Sequence, residues 1–239
     1  MPAIAATLSI PLTLRDFRAR SAPGGHPDFQ WFISGDAPGM VSRTLNSAGL
    51  PDYVATPPYG AVSSAASFAQ WHVDLPGLNT RYPFVLNLDE IRPGIYQYSN
   101  SRFFPPNALT PRSVWDGYPS NYHFTLEMRT EYTYERGQVF TFVGDDDLWV
   151  YIDRKLVIDL GGVRPPRFQT ANLDALGLRP GRTYSFDLFF AERHSALSNF
   201  RVDTSIVLRS PTPTPEPAQL ALLGLGLLGL VQLRRQARL

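Results

Sequence analysis

The 239-residue chain contains no cysteine. That excludes disulfides, thiolate nucleophiles and cysteine-held metals together, and it leaves the redox compartment open, since exported proteins often do without disulfides. An excess of either charge is lacking too. The 22 Lys+Arg and 21 Asp+Glu leave a net charge of +1, so no global field draws the chain to nucleic acid. There is no G-x-S-x-G nucleophile elbow and no P-loop. The histidines His26, His72, His123 and His194 are scattered, with no H-E-x-x-H, and read as structural or surface groups. His194 has the best claim to a site, because it lies close to other candidates.

Proline (22) exceeds glycine (18) and aromatics reach 13%, a mixture that suits a turn-rich β domain. Leu8, Ile10, Leu12 and Leu14 alternate with small or polar residues, the pattern of a strand with one buried face. Short β-type runs follow at 67–75, 82–88, 94–100, 121–134, 138–144, 148–153, 155–162, 183–192 and 199–208. A short helical turn is expected within 170–181. Runs this short, split by turn signals, predict an all-β sandwich or jelly roll with long proline-studded loops over 7–209. Between 148–153 and 155–162 a hairpin turn falls near Asp153-Arg154, and the sequence leaves a tight and a wider turn both open. In a strict type I′ turn both residues take φ > 0, and Arg154 carries strain of roughly 1–2 kcal/mol.

One stretch asks for a reason. "FVGDDDLWVYID" places Asp145, Asp146 and Asp147 side by side between strand patterns, where like charges repel. In a regular strand Asp145 and Asp147 share a face and Asp146 points away. Calcium needs six to eight oxygens at about 2.3–2.6 Å, and a run of aspartates at a strand end begins such a set. The plainer reading is a solvated acidic turn; spacing alone leaves both open. Trp149 and Tyr151 share one strand face, suited either to core packing or to stacking on a sugar ring. Glu192-Arg193 reads as a simple ion pair or as part of a site, and Gly161-Gly162 as a tight bend or a close approach to ligand.

The C-terminal end has three parts: "PTPTPEP" (211–217), an apolar run over 218–233, and "RRQARL". The Thr-Pro alternation reads as an extended linker over 210–217. The apolar run makes a helix of roughly 24 Å, a little short of a hydrocarbon core of ~30 Å. Arginines after it are expected on the cytoplasmic side. Gly224, Gly226 and Gly229 spell G-x-G-x-x-G, but no strand precedes them and the dinucleotide-binding context is absent.

This combination, with Pro215, Glu216, Pro217, Arg234 and Arg235, resembles the PEP-CTERM sorting signal of bacterial envelope proteins. The resemblance implies export, a transient membrane anchor over 218–239 and processing by an exosortase-type enzyme. Export of this kind needs a leader peptide, and "MPAIAATLSIPLTLRDF" has no basic n-region, so the expectation is that a leader precedes Met1 in the full gene.

The body resembles a second family. "FTFVGDDDLWVYIDRKLVIDLGG" and "FFAERHSALSNFRVDTSI", with "LRDFRARSAPGGHPDF", "FAQWHVDLPGLN", "RFFPPNAL" and "NYHFTLE" before them, are similar to the fibro-slime domain of bacterial surface proteins. That domain is in turn similar to the PA14 β-sandwich. The resemblance implies that Asp145 and Asp146 are joined by a cis peptide and together bind Ca2+, which also touches sugar hydroxyls. The calcium-dependent lectins supply an asparagine from a later loop; Glu192 falls at that place. Asp147, His194, Asn199 and Trp149 are candidates for the ligand rim. The expected function is an exported surface or matrix protein that binds calcium and extracellular polysaccharide. A ligand-free structural matrix protein stands as the alternative. A glycoside hydrolase ranks lower, because no carboxyl is marked as a protonated acid.

Overall fold

The computed structural model describes residues 6–209. The expected linker at 210–217, the sorting tail at 218–239 with its apolar helix, and with them Pro215, Glu216, Pro217, Arg234 and Arg235, lie outside the described residues. No helix among the described residues is long and apolar enough to cross a membrane.

The architecture is all-β, as the alternating patterns predict. Ten strands run in the order β1 (Thr7–Asp16), β2 (Thr80–Arg92), β3 (Ile95–Asn100), β4 (Phe124–Thr133), β5 (Val139–Gly144), β6 (Asp147–Ile152), β7 (Lys155–Leu160), β8 (Arg167–Asn172), β9 (Thr183–Glu192) and β10 (Phe200–Thr204). They form one antiparallel sheet in the spatial order β7-β6-β9-β4-β1-β2-β3-β10-β5-β8. The sheet curls until its two edges approach: the Asp159 amide of β7 donates to Gln169 Oε1 of β8 at 3.0 Å.

Two cores follow from strand alternation. Inside the curl, Leu12, Leu14, Leu126, Phe142, Leu148, Val150 and Phe190 pack in the main core. Outside it, Trp149 and Tyr151 of β6 and Phe189 and Ala191 of β9 pack against Phe17, Phe29, Met40 and Trp71 from the long segment between β1 and β2. Both faces of β6 are therefore buried, and every residue from Asp147 to Ile152 is enclosed. Truncating a buried aromatic such as Trp149 to alanine costs about 3–5 kcal/mol. Trp149 Nε1 donates to Asp159 Oδ1 at 3.1 Å and the Tyr151 hydroxyl to the Ser42 carbonyl at 2.9 Å, so neither buried polar atom is orphaned.

Two elements depart from the sequence expectation. The run at 67–75 is no strand: α1 (Ala65–Phe68) occupies its start, capped by Ser64, whose Oγ accepts the Ser67 amide at 2.9 Å. Phe68 and Trp71 stand at helical rather than alternating spacing and pack 4.7 Å apart in the outer core. Strand β8 was unmarked because of its six residues only Ala171 is buried. The expected helical turn in 170–181 is a single 3-10 turn, Leu173–Leu176. The hairpin at Asp153-Arg154 takes the tight form, with φ of 49° and 64°. Arg154 Nη2 donates to the carbonyls of Leu45, at 3.1 Å, and Asn46, and its own carbonyl accepts the Leu45 amide at 3.0 Å. These bonds tie a strained position to the covering segment.

Candidate functional site

The three aspartates do not form a regular strand. β5 ends at Gly144, β6 starts at Asp147, and Asp145-Asp146 connects them through a cis peptide bond. The face-sharing expected of Asp145 and Asp147 therefore fails. Asp145 and Asp146 instead line one pocket of about 150 Å³ together with Ile33, Arg164, His194 and Leu197.

Each carboxylate is held by amides from a different segment. Asp145 accepts the Asn199 amide at 2.5 Å on Oδ1 and Asn199 Nδ2 at 3.0 Å on Oδ2. Asp146 accepts the Arg164 amide at 3.2 Å and the Arg193 amide at 3.0 Å. Asp147 accepts the Gly162 amide at 2.5 Å and Arg193 Nε at 2.7 Å. Gly162, at φ 109°, lies so close to the 35–37 segment that a Cβ would stand 2.1 Å from the Gly35 carbonyl oxygen, so the tight-bend reading of Gly161-Gly162 is the one that the chain adopts.

The guanidinium groups are as buried as the acids. Arg193, wholly enclosed, donates to the carbonyls of Asp28, Gly60 and Ala61 and lies 4.5 Å from the Trp71 ring centroid. Arg164 donates to the carbonyls of Gly144, Leu160 and Pro165. Glu192 is enclosed beside the aspartates; the Ser198 hydroxyl and the His194 amide lie near its carboxyl, but neither oxygen has a partner at hydrogen-bond geometry among the described residues. Burial, with Asp146 and Asp145 nearby, pushes the Glu192 carboxyl well above the usual range. Burial and the charge of Asp147 push Asp146 up to about 7, and burial raises Asp145.

The structure sorts the predicted residues. Asp145 and Asp146 meet at the pocket, and His194 lines it. Asn199 lies against Asp145 and holds it. Two rim assignments are corrected. Trp149 is a core residue, fully buried on the outer face of β6, and Asp147 is fully buried against Arg193. The Glu192-Arg193 ion pair does not form either, since Arg193 turns to Asp147 instead. The set Asp145, Asp146 and Glu192 is not gathered as three ligands: among the described residues no three His, Asp or Glu side chains converge to hold a metal by themselves. Arg164, whose backbone and side chain brace the loop, went unmarked in the sequence, where nothing distinguishes a buried arginine from an exposed one.

The comparisons agree with this architecture. Residues 110–220 match the family model of the PA14 domain, and residues 213–236 that of the PEP-CTERM protein-sorting motif. Protein psiR of Dictyostelium discoideum is 36% identical over 207 residues, which are 80% of this chain and 21% of that protein. Protein psiC of the same organism is 34% identical over 220 residues, covering 84% of this chain and 42% of its own. The chain thus spans between a fifth and somewhat over two fifths of these relatives' length.

Solved structures superpose loosely. The epithelial adhesin 9 A domain of Candida glabrata, in complex with Galb1-4GlcNAc, aligns over 87% of this chain and 89% of its own at 11% identity, with a TM-score of 0.35. The PA14 domain of the MpAFP antifreeze protein aligns over 49% and 63% at 10% identity, with a TM-score of 0.31. Superpositions that loose transfer no residue roles.

Fold and matches agree on an exported, surface-associated all-β protein. It carries a PA14-domain match over 110–220 and a PEP-CTERM sorting motif over 213–236.

Proposed function

We propose that the pocket over Asp145 and Asp146 is a calcium site through which this surface protein holds an extracellular carbohydrate. One observation carries the reading: two adjacent carboxylates line the same pocket while a third carboxyl, Glu192, is fully buried beside them. Asp145, Asp146, Asp147 and Glu192 lie together beside two guanidinium groups, Arg164 and Arg193, and burial favours the protonated forms of Glu192 and Asp146. A cation bound among them would instead stabilise the ionised carboxylates.

The donors fit a hard ion. Asp145 and Asp146 offer oxygen only, and the chain has no cysteine to compete for the place. Two side chains fall short of six to eight oxygens, so backbone carbonyls, water and ligand hydroxyls complete the shell. The bound ion would supply a positive anchor for hydroxyl pairs; Asp145 and Asp146 would hold it, with Asn199, Arg164 and Arg193 orienting them. Metal affinity falls as pH drops through about 7, where Asp146 takes up its proton. The apolar run at 218–233 would act as a membrane anchor until an exosortase-type enzyme removes the tail. The reading is of a binding module, not an enzyme.

A glycan array run with calcium and with chelator tests the proposal. Binding present with calcium and abolished by chelator is the expected result. An array without calcium-dependent signal leaves a structural matrix protein, and turnover of a polysaccharide lost on Glu192→Ala would make it a hydrolase.

A further inference from the structure

Two more depressions adjoin the Asp145–Asp146 pocket. A pocket of about 290 Å³ shares Arg164 with it, and a groove of about 990 Å³ shares Asp159 with that pocket in turn. The second and third lie along the seam where the sheet edges β7 and β8 approach and the first beside the 163–165 connection between those strands; the 33–44 segment contributes to the lining of all three. That segment is fastened to the seam by the Gly35 amide on the Val163 carbonyl at 3.0 Å and the Ala37 amide on the Gly161 carbonyl at 2.7 Å.

The middle pocket has the chemistry of a sugar subsite. Phe168 projects from β8 with 73% of its surface exposed, the most exposed large apolar side chain among the described residues. Beside it Asp36 Oδ2 accepts Arg167 Nε and Nη2, both at 3.2 Å, in side chains about half exposed. An apolar ring face next to half-solvated donors and acceptors suits the CH face and hydroxyls of a pyranose. The groove beyond is basic at its far end. Arg43 and Lys155, the chain's single lysine, both line it, and among the described residues neither makes a salt bridge. The Leu156 amide donates to the Arg43 carbonyl at 2.9 Å and Thr44 bridges to Lys155, so the two cations come from adjoining segments.

We infer that these depressions form one cleft that takes a linear acidic polysaccharide, with Asp145–Asp146 at one end, Phe168 as a stacking platform in the middle, and Arg43 and Lys155 holding a uronate carboxylate at the other. The inference rests on the calcium-pocket reading for the first of its subsites. A chain spanning the cleft gains contacts that a single sugar cannot make.

Mono-, tetra- and octagalacturonate, with neutral cello-octaose for comparison, are titrated into the protein by calorimetry at fixed free calcium and again in chelator. Affinity is expected to rise from monomer to octamer. Phe168→Ala weakens octamer binding about three- to tenfold and the double variant Arg43→Gln, Lys155→Gln about three- to tenfold, the latter shrinking with added salt. Octamer binding equal to monomer, or unchanged in both variants, overturns the cleft and leaves the calcium pocket standing. Cello-octaose bound as tightly as octagalacturonate overturns the acidic assignment. Octamer binding indifferent to chelator but weakened by the variants keeps the cleft and overturns the calcium reading, and no binding of any of the four overturns both.

Discussion

Arg193 Nε meets Asp147 Oδ2 at 2.7 Å, and neither side chain reaches solvent. The pair joins the start of β6 to the end of β9. Through its carbonyl contacts to Asp28, Gly60 and Ala61, Arg193 also binds the covering segment to the sheet. Its backbone amide holds Asp146, so the same residue that fixes the outer core also aims a pocket carboxylate.

Breaking this pair from either side is expected to be costly. Arg193→Ala or Asp147→Ala leaves a buried charge unmatched and lowers unfolding free energy by about 3–5 kcal/mol, measured by urea denaturation. A loss under about 1 kcal/mol in both variants would mean that the pair is solvated.

Two buried groups away from the pocket bend the pH dependence in opposite directions. Burial lowers His72 to about 3, and neither ring nitrogen has a partner; it packs edge-on to Phe189, with Glu127, Arg15 and Arg129 the charged groups nearby. The unfolded chain protonates it first, so stability present above pH 6.5 is lost as pH falls toward 3. Burial raises Asp16 to about 7 against its bond from Asn121 Nδ2 at 2.6 Å; Asp116 raises it further and Arg18 opposes. Here the unfolded chain gives up its proton first, so stability falls as pH rises from 3.8 to about 7. His72→Leu should flatten the acid limb and Asp16→Asn the other, read from melting temperature against pH. Unchanged profiles in both would place these groups in contact with water.

The Asp153-Arg154 turn separates local strain from tertiary contact. Both residues sit at positive φ, but only the Arg154 side chain bonds to the covering segment. Asp153→Gly is expected to stabilise by about 0.5–1 kcal/mol, since glycine takes that conformation freely. Arg154→Gly gains the same relief and loses two hydrogen bonds, each worth about 1 kcal/mol, so it comes out neutral or destabilising. Equal effects of the two in thermal melts would count against the tether.

What could be read from the sequence was the local pattern. Alternation at Leu8–Leu14 and the apolar runs after residue 120 located the strands, because a strand buried on one face prints its period directly. Strand β6 came through for another reason: with both faces buried it reads as a continuous apolar run. Strand β8 stayed hidden because a mostly exposed edge strand has no period to print. The second core was invisible for a related reason. Phe17, Phe29, Met40 and Trp71 come from an irregular segment whose placement is tertiary. Asp145-Asp146 could be marked through family resemblance, but Arg193 and Arg164 could not, since burial of a guanidinium depends on carbonyls far apart in the chain.

The central claim, that Asp145 and Asp146 hold a divalent ion in their shared pocket, is tested most directly by calorimetric titration of calcium into the wild type and Asp146→Asn at neutral pH. The account predicts one site in the wild type, with heat from displaced protons, stabilisation of about 2.7 kcal/mol at calcium 100-fold above Kd, and loss of both in the variant. Wild type and variant that titrate alike, with no heat and no melting shift in millimolar calcium, would contradict it.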